Sequence, residues 1–554
     1  MAKIIVTAAP PTSNGDLHLG HIAGPYLGAD VFARVRRQLG DTVLCVSYSD
    51  DFQSYVQRKA FEQTGEADNL NERSLQIAKS YGLRMSQSLK SAGIDYNIFM
   101  HSSASNNLIT ALSKFFSAAE QNNLLFKMSS DVPHSAIHDV WGYEAFARGT
   151  CPNCGASTDT SQCESCAFPP DITEMKNIKF ALDNSRMELV EVEQIFLAVE
   201  AKKDFLSAQF SKMNCRPPLQ DFGERLLNSS LKSWAISRPG DWGPELPEHP
   251  GSSLHTWFAG IAGYLAASMD WAEQTGVPDA WREYWESDDT SIVHFIGIDC
   301  AYSHAVVYPI LLSCLESGPS IQEIYTNQFL TLNGHGFSTS RGLAIWASDF
   351  FAEVNSDAAR YYLALKSPEL EEADFNLQDF EATTNHFFGG ILCTAINSII
   401  QNPNLDTYLS DGLSSDIGLI KLGDIREKYL NAASISGFSM NGLAETLIDI
   451  LTLIHLSDSK GLPQLLSLYA SLSQAIQPVF SQQLRSALSV PDSWEENWLE
   501  EGTPLPPIPV SASIKERLTT VTVPFVAPEV IEKLEKQVTK TIQSQTINQR
   551  PAAE

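Results

Sequence analysis

Four cysteines between positions 151 and 166 constrain the fold of this chain more than any other feature of its sequence. They form two Cys-x2-Cys pairs separated by eight residues. Two tight turns of this kind supply four thiolates, which satisfy tetrahedral Zn²⁺ and leave no coordination position for water. The spacing therefore predicts a closed structural zinc site that stabilises a small polar loop, and it favours a redox role less. The predicted ligands are Cys151, Cys154, Cys163 and Cys166.

The chain of 554 residues is acidic and long enough for about three or four domains. Lys and Arg total 38 against 66 Asp and Glu, and the net charge of −28 disfavours binding to phosphate backbones. No apolar run reaches the roughly 18–20 residues that span a bilayer, and the N-terminus lacks a signal-peptide pattern. We therefore expect a cytoplasmic protein with no membrane partner.

The chain begins with the pattern of one βαβ unit, which is the building block of an α/β fold. Residues 3–7 and 42–47 are short β-branched runs, and the helical pattern at 18–39 connects them. A right-handed crossover between two parallel strands is expected. Beyond residue 352 the helical period dominates. We predict helices near 377–401, 415–435, 441–456, 463–489 and 527–545.

Two histidines three residues apart lie at the start of the first predicted helix. At a helix N-terminus, His18 and His21 lie near one face and join the backbone N–H groups in binding a polyphosphate. The pair alone is equally typical of capping or metal-binding histidines. The surrounding segment, Ala-Pro-Pro-Thr-Ser-Asn-Gly-Asp-Leu-His-Leu-Gly-His at 9–21, closely resembles the first signature of class I aminoacyl-tRNA synthetases, in its methionyl form.

Further motifs resemble the methionyl-tRNA synthetases, and the resemblance covers residues 3–400. His-Phe-Ile-Gly-Ile-Asp at 294–299 resembles the strand and loop that hold the ATP nucleoside, and 360–362 resembles the hinge into an anticodon-binding bundle. The resemblance implies a Rossmann-like catalytic domain with a zinc-knuckle insertion, followed by an α-helical bundle. The implied boundaries are 1–126 and 231–350 for the catalytic halves, 127–230 for the insertion, 351–490 for the bundle and 491–554 for a linker and helical tail.

The resemblance implies an ATP-dependent ligase that activates an amino acid as its adenylate, with Mg²⁺ accompanying the ATP. Asp51 matches the carboxylate that holds the substrate ammonium group. The implied catalytic residues are His18, His21, Asp51 and Arg341. The implied ATP-binding residues are Gly20, His294, Gly297, Asp299, Ser338 and Ser340.

The amino-acid pocket keeps half of the family pattern. The retained positions are Ala9, Asp51, Trp257, Tyr264 and His304, with Arg238 where the family places a supporting arginine. The changed positions are Pro10, Thr12, Ile261, Cys300 and Tyr308. One methylene in such a pocket contributes about 1–3 kcal/mol of discrimination, so five changed walls could alter the preferred amino acid.

The second signature departs from the family. Residues 333–342, Asn-Gly-His-Gly-Phe-Ser-Thr-Ser-Arg-Gly, stand where the family has Lys-Met-Ser-Lys-Ser, with Gly336 and Thr339 at the lysine positions. Those lysines neutralise charge on the transferring phosphates, and losing such a group costs about 3–4 kcal/mol of transition-state stabilisation. Either adenylation is slow, or other cations such as Mg²⁺, Arg341 or a protonated His335 supply the charge, or the chain only binds.

The helix that presents anticodon-binding side chains in the family carries no Lys or Arg here. By spacing, the relevant positions fall on Gly390, Thr394 and Ser398 within residues 385–401. Anticodon bases need stacking and hydrogen bonds, and tRNA needs cations. The neutral helix therefore disfavours tRNA as the acceptor.

Three hypotheses follow. The preferred one is transfer of the activated amino acid to a small-molecule amine, a hydroxylamine or a carrier, forming an amide, an ester or a hydrazine-type N–N bond. Hydrazine-forming relatives also use a cupin domain, and no cupin-like strand pattern is present here. The alternatives are a divergent methionine–tRNA ligase and a non-catalytic binding paralogue. The tail is too short for the dimerisation domain of many family members, so we expect a monomer.

Overall fold

A computed structural model of the chain describes residues 1–246, 249–337, 344–410, 413, 416–417, 420–458, 460–491, 498–499, 505–511 and 513–536. The chain divides into two compact units. The first unit comprises Met1–Asp16, Thr42–Gln87 and Tyr96–Gln328. The second comprises Leu17–Asp41, Ser88–Asp95 and Phe329–Glu554.

The strands of the first unit are named in chain order. They are β1 Lys3–Ala8, β2 Thr42–Ser49, β3 Ile98–His101, β4 Leu125–Ser135, β5 Val140–Trp141, β6 Ala147–Thr150, β7 Ser157–Asp159, β8 Lys176–Phe180, β9 Glu188–Leu197, β10 Trp234–Ala235, β11 Ser237–Arg238, β12 Ser253–Leu254, β13 Thr290–Gly297 and β14 Ser320–Asn327. Its helices of four or more residues are Ser54–Thr64, Leu70–Ser91 (which ends in the second unit), Asn107–Gln121, Val199–Lys202, Lys203–Lys212, Pro217–Asn228, Thr256–Gln274, Arg282–Trp285, Ser303–Val307 and Tyr308–Leu312.

A five-stranded parallel sheet in the order β14-β13-β1-β2-β3 forms the core of the first unit. Its central strands are buried on both faces, which is why β1 reads as a continuous apolar run at Ile4–Val6. This confirms the predicted parallel α/β fold. The carboxyl ends of β1, β2, β3 and β13 meet at one edge, and ligands of open parallel sheets bind at that edge.

The insertion forms two antiparallel sheets within the first unit. The long ladder between β4 and β9 has β5 and β10 at its edges, so the order is β10-β9-β4-β5. The second sheet, β7-β6-β8, carries the cysteine loops. The segment predicted as an insertion therefore contains its own β-structure, in addition to helices at Lys203–Lys212 and Pro217–Asn228.

The second unit is mainly helical. Its helices are Leu19–His21, Ile22–Tyr26, Leu27–Gln38, Ala347–Glu353, Ser356–Leu365, Leu377–Thr384, Asn385–Leu392, Cys393–Gln401, Leu405–Ser410, Leu422–Ala432, Met440–Leu456, Leu462–Leu472, Pro478–Leu488, Ile514–Leu518 and residues 528–536. Its strands are β15 Leu330–Leu332, β16 His335–Gly336, β17 Ala373–Phe375, β18 Asp416–Ile417 and β19 Ile420–Lys421.

Two predicted helices differ from the structure. The helix expected at 415–435 begins at Leu422, because 416–417 and 420–421 pair as strands. The helix expected at 463–489 is divided between Leu462–Leu472 and Pro478–Leu488, since Pro478 has no N–H to continue a helix and instead begins a new one. Of the last predicted helix, 528–536 is helical, and residues 537–545 lie outside the described residues. Among the described helices, none combines the length and apolarity that crossing a bilayer needs.

Candidate active site and metal centre

The four cysteine sulfurs of the insertion all lie within 4.8 Å of one another. Sγ of Cys151 is 3.9 Å from that of Cys166, and Sγ of Cys154 is 3.5 Å from that of Cys163. Four sulfurs at the usual Zn–S distance from one centre would stand about 3.8 Å apart. The donor set and its spacing therefore fit one tetrahedral zinc ion, as the sequence predicts.

The two cysteine loops have the same backbone design. The N–H of Gly155 donates to the carbonyl of Cys151 (3.0 Å), and the N–H of Ala167 donates to that of Cys163 (2.8 Å). Both donors adopt positive φ, +77° at Gly155 and +62° at Ala167. Each loop thus presents two sulfurs from one tight turn. Backbone hydrogen bonds and turn geometry account for the shape of both loops, and this supports a structural role for the metal site.

In the second unit, the first signature forms a stacked imidazole pair. The rings of His18 and His21 have centroids 3.7 Å apart, and the N–H of His18 donates to Nδ1 of His21 at 3.1 Å. Nδ1 of His21 is therefore unprotonated, and its proton is on Nε2. Nδ1 of His18 is buried and has no hydrogen-bond partner among the described residues. This arrangement leaves polar ring atoms for a ligand at the start of a helix.

Burial keeps both imidazoles neutral. Loss of hydration lowers the pKa of His21 to about 4. The same effect, followed by repulsion from His21, lowers the pKa of His18 well below its ordinary value. At neutral pH the pair therefore offers N–H donors to a phosphate instead of positive charge.

A residue within the second signature and a residue after it contact the first signature. The ring of Phe337 stacks on His18 with centroids 5.0 Å apart, and it is also near Gly20, where an added Cβ would lie 3.4 Å from it. After the signature, the N–H of Leu19 donates to the carbonyl of Ile345 at 3.1 Å. Phe337 and Ile345 thus lie beside the helix start that carries the histidine pair. Ser338, Thr339, Ser340, Arg341 and Gly342 themselves lie outside the described residues.

The second signature begins with an Asn-Gly hairpin turn between β15 and β16. Asn333 and Gly334 have φ of +50° and +76°, as a two-residue hairpin turn requires. The N–H of Gly334 donates to Asp374 at 2.8 Å, which ties the hairpin to β17. Gly336, at the first lysine position of the family, is exposed on β16.

In the first unit, Asp51 follows the carboxyl end of β2 and is 1% exposed. Its Oδ2 accepts hydrogen bonds from the N–H (2.9 Å) and the hydroxyl (2.6 Å) of Ser103. Its Oδ1 is buried and has no hydrogen-bond partner among the described residues. A buried carboxylate oxygen without a partner is costly, so this atom is suited to a charged donor from a ligand.

Five aromatic rings pack together beside the carboxyl ends of β1 and β13: Tyr48, Tyr264, His294, His304 and Tyr308. The hydroxyl of Tyr264 bonds both the carbonyl of Ala8 (3.2 Å) and Nε2 of His304 (3.0 Å). Burial lowers the pKa of His304 to about 3, so its ring is neutral. Four residues that the sequence analysis assigns to the pocket or to ATP binding, Tyr264, His294, His304 and Tyr308, are therefore part of one buried wall.

The changed pocket positions lie at different depths. Tyr308 is 2% exposed, and its hydroxyl occupies the space that a side chain on Gly260 would need. Ile261 is fully buried on the same helix, Thr256–Gln274. Pro10, Thr12, Trp257 and Cys300 are partly exposed, and Ala9 is buried. The partly exposed set is the part of the predicted pocket that a ligand can reach.

Arg238 pairs with Glu144, which the sequence analysis did not identify. Its guanidinium contacts Oε1 of Glu144 and lies 4.9 Å over the ring of Tyr143. Oε2 of Glu144 accepts from the N–H (3.0 Å) and hydroxyl (2.9 Å) of Ser54, at the start of helix Ser54–Thr64. Glu144 thereby links the Asp51 loop to Arg238 on β11. No motif in the sequence marks Glu144 as a site residue. Its backbone is unusual for a non-glycine residue, with a φ of +35°, but that is visible only in the structure.

The predicted nucleoside-binding residues lie at the end of β13. Oδ1 of Asp299 occupies the position that a Cβ on Gly297 would take, so a side chain at residue 297 would displace this carboxylate. Loss of hydration raises the pKa of Asp299. His294 is fully buried, with Nδ1 bonded to the hydroxyl of Thr7 at 2.5 Å and Nε2 without a described partner. Gly297 and Asp299 are partly exposed to solvent, whereas His294 is fully buried.

A parallel sheet of this kind is the fold expected of the class I aminoacyl-tRNA synthetases, a class of ligases. Within that class, the chain belongs to the methionyl family, because the family model "tRNA synthetases class I (M)" matches residues 4–399. Methionine–tRNA ligases are similar at about 30% identity. One from Dehalococcoides mccartyi (strain CBDB1) is 33% identical over 389 residues, which cover 69% of this chain and 68% of that protein.

Two other relatives give the same result. The methionine–tRNA ligase of Thermobifida fusca is 30% identical over 406 residues, covering 69% of this chain and 65% of that protein. A solved structure of Mycobacterium tuberculosis methionyl-tRNA synthetase in complex with methionyl-adenylate has a TM-score of 0.65 and 15% identity, and it covers 93% of this chain and 99% of its own. At that identity the structural likeness concerns the fold.

Proposed function

We propose that this protein activates an amino acid with ATP, forming an aminoacyl-adenylate and pyrophosphate. The observation that carries the proposal is Oδ1 of Asp51, a buried carboxylate oxygen without a described partner at the ligand edge of a parallel sheet. The α-ammonium group of an amino acid is the donor that such an atom accepts best. Ser103 fixes the other oxygen and thereby the direction of the carboxylate.

In the proposed reaction, the amino-acid carboxylate attacks the α-phosphorus of ATP in line. An O–P bond forms, and the bond to the bridging oxygen breaks, so pyrophosphate leaves. His18 and His21 donate N–H bonds to the phosphates, and Asp299 holds the nucleoside. Positioning and preorganised donors carry most of such a reaction. Mg²⁺ accompanies the ATP and supplies charge neutralisation, and Zn²⁺ stabilises the cysteine loops.

The acceptor divides the proposal into two candidates. The first is a small-molecule acceptor, which is supported by the surface of helix Asn385–Leu392 and helix Cys393–Gln401. Its exposed residues are His386, Gly389, Gly390, Thr394, Asn397 and Gln401, and none of them is a Lys, Arg, Asp or Glu. The side-chain amide of Asn385 is also engaged: its Nδ2 donates to the carbonyl of Val526 at 2.8 Å, and its Oδ1 accepts from the N–H of Val526 at 2.9 Å.

The second candidate is transfer to tRNA with methionine as the substrate. The comparisons favour it over the first, because the relatives are named methionine–tRNA ligases and the solved neighbour binds methionyl-adenylate. The changed pocket positions Thr12, Cys300 and Tyr308 and the second signature without lysines are the features of this chain that weigh against it.

The test is amino-acid-dependent exchange of pyrophosphate into ATP, across the standard amino acids and several non-standard ones. We expect exchange with one amino acid. Asp51→Asn should reduce it at least 100-fold through the apparent KM for the amino acid, and His21→Ala should reduce kcat by about 100-fold while the fold is retained. Asp139→Asn, which changes a carboxylate that is 93% exposed, serves as the control.

Aminoacylation of total tRNA then separates the two candidates. Exchange with methionine together with charging of tRNA would establish the second candidate. Exchange without charging would support the first. If Asp51→Asn exchanges as fast as the natural chain, the proposed ammonium site is wrong.

A further inference from the structure

The loop that carries Asp51, residues 50–53, connects β2 to the helix Ser54–Thr64. At its start, the N–H of Asp51 donates to the hydroxyl of Ser102 at 3.1 Å, and Ser103 holds Oδ2 of the carboxylate. Oδ1, which has no described partner, can point at a substrate ammonium group only while the whole loop keeps its shape. The contacts that hold the far end of the loop therefore matter for the proposed site.

The helix that follows this loop has no capping side chain of its own. Gln53 stands at the N-cap position, and its side chain accepts no hydrogen bond from the first turn. The N–H of Ser54, which has no acceptor within the helix, donates to Oε2 of Glu144 at 3.0 Å. A carboxylate at a helix N-terminus satisfies such donors and is stabilised by the helix dipole. A side chain that is 90 positions away in the sequence thus takes the role of the cap.

Ser54 and the segment around Glu144 are bound to each other in both directions. The hydroxyl of Ser54 donates to Oε2 of Glu144 at 2.9 Å and accepts from the N–H of Ala145 at 3.0 Å. Glu144 is 2% exposed and adopts a φ of +35°, which is strained for a residue with a side chain. Strain of this kind persists only where the surroundings impose it, and it is concentrated at functional sites. The contact with Ser54 is therefore a fixed part of the fold around the Asp51 loop.

Glu144 also reaches the other side of the predicted amino-acid pocket. Its Oε1 contacts the guanidinium of Arg238 on β11 and lies 3.9 Å from Nε2 of His255. Nδ1 of His255 accepts the N–H of Trp257 at 3.1 Å, at the start of the helix that carries this tryptophan. One buried carboxylate therefore joins the end of the Asp51 loop to the side of the predicted pocket that carries Trp257.

We propose that Glu144 is a positioning residue for amino-acid activation. The proposal rests on adenylate formation and concerns the same site: Glu144 holds the start of the helix after the Asp51 loop and thereby keeps Oδ1 directed at the substrate ammonium group. Without Glu144 one end of the loop is released, while Ser102 and Ser103 still hold the other end. The bound amino acid must then restore the shape of the loop, and that cost weakens its binding.

The predicted ATP-binding groups of the first unit should be unaffected by this loss. Gly297 and Asp299 lie at the end of β13, on a different segment of the chain. None of the described hydrogen bonds and ion pairs of Glu144 involves either residue. Loss of positioning therefore predicts a selective effect on the amino acid, whereas general destabilisation lowers the fraction of active protein and so reduces kcat with either substrate.

Pyrophosphate exchange by the full chain tests the proposal, with Mg-ATP and methionine as probes, or with another amino acid where the exchange screen selects one. In Glu144→Ala we expect the apparent KM for the amino acid to rise about tenfold or more, while the KM for ATP stays within about twofold and kcat at saturation within about threefold. Glu144→Gln, which keeps the size of the side chain, should show the same selective change, about threefold or more. The matched control is Glu323→Ala on β14: this carboxylate is 4% exposed and accepts the N–H of Asn214 at 3.2 Å, and its loss should change neither KM.

Hydrogen–deuterium exchange of the backbone amides gives a readout that does not depend on activation. In Glu144→Ala the amides of residues 52–56 should exchange about tenfold faster or more, whereas those of β1 and β13 keep their natural rates. Faster amide exchange throughout the first unit would show a merely structural role and overturn the proposal. An unchanged KM for the amino acid, or equal rises in both KM values, would also overturn it. If the natural chain gives no pyrophosphate exchange with any amino acid, adenylate formation is refuted instead, and the amide rates at 52–56 alone decide whether Glu144 positions this loop.

Discussion

Asp50 and Asp51 are neighbours in sequence but occupy different environments. Asp51 is held by Ser103, whereas burial, followed by repulsion from Glu144 and Asp51, raises the pKa of Asp50 to about 7 against the opposing hydrogen bond from Gln53. An acidic group whose pKa is higher in the folded state binds more protons there than in the unfolded chain. Its contribution to stability is therefore present at low pH and is lost as the pH rises from about 4 to about 7.

Asp50→Asn should stabilise the protein at alkaline pH. At pH 8 we expect the free energy of unfolding to rise by about 2–4 kcal/mol, since a buried charge is removed. The gain should shrink as the pH falls to 5, where Asp50 of the natural chain is protonated when folded. Urea unfolding at both pH values measures this. A gain of the same size at pH 5 and pH 8 would show that charge is not the cause.

At the scale of single elements, the cysteine loops show how much of a structure is fixed by local backbone geometry. Gly155 has a φ of +77°, and no atom lies within 4 Å of the position that a Cβ would take. The equivalent Ala167 adopts a φ of +62° with a side chain. The loop therefore tolerates alanine sterically but with backbone strain.

Gly155→Ala should lower stability by about 1–2 kcal/mol through this strain alone. Retention of zinc should be unchanged, because the sulfur positions stay the same. Thermal unfolding with metal analysis tests both points. Gly389→Ala is the matched control, since its surroundings are equally open within a helix and φ is not positive; it should raise stability by about 0.5–1 kcal/mol. A neutral Gly155→Ala would contradict the strain argument.

Within the whole second unit, a buried ion pair joins segments that are distant in sequence. Nη2 of Arg360 bonds Asp30 at 2.6 Å, with both side chains at most 1% exposed. The same guanidinium donates to carbonyls of Gly93, Ala475 and Ile476 at 3.0, 2.7 and 2.7 Å. Attraction to Arg360 offsets the cost of burying the charge of Asp30. Removal of the arginine would leave the buried carboxylate without its main partner.

Arg360→Met should lower the free energy of unfolding by about 3–5 kcal/mol. Arg34→Met is the matched control: Arg34 bonds the same carboxylate at 2.9 Å but is 23% exposed, so its loss should be much smaller. Combining Arg360→Met with Asp30→Leu should recover part of the stability. Chemical unfolding of the three variants measures these differences, and equal losses for the two arginines would contradict the assignment.

The sequence by itself determined the features that depend on local spacing. The two cysteine pairs, the histidine pair at the helix start and the opening βαβ unit were predicted, because each needs only residues that are close in sequence and a known backbone periodicity. The ammonium-binding role that we propose for Asp51 was implied by the family resemblance. Its suitability rests on an orphaned oxygen that the sequence does not show.

Only the tertiary structure decided which distant groups pair. Glu144 binds Arg238 across 94 positions, Ser103 bonds Asp51 across 52, and Asp30 bonds Arg360 across 330. A cavity of about 1090 Å³ in the first unit likewise combines residues from β4, β9 and the segments around them. Such partners depend on how sheets and helices pack, and no periodic pattern records that packing. Short stretches of sequence therefore show which residue types the site contains, and only the packing of distant segments shows how those residues are arranged.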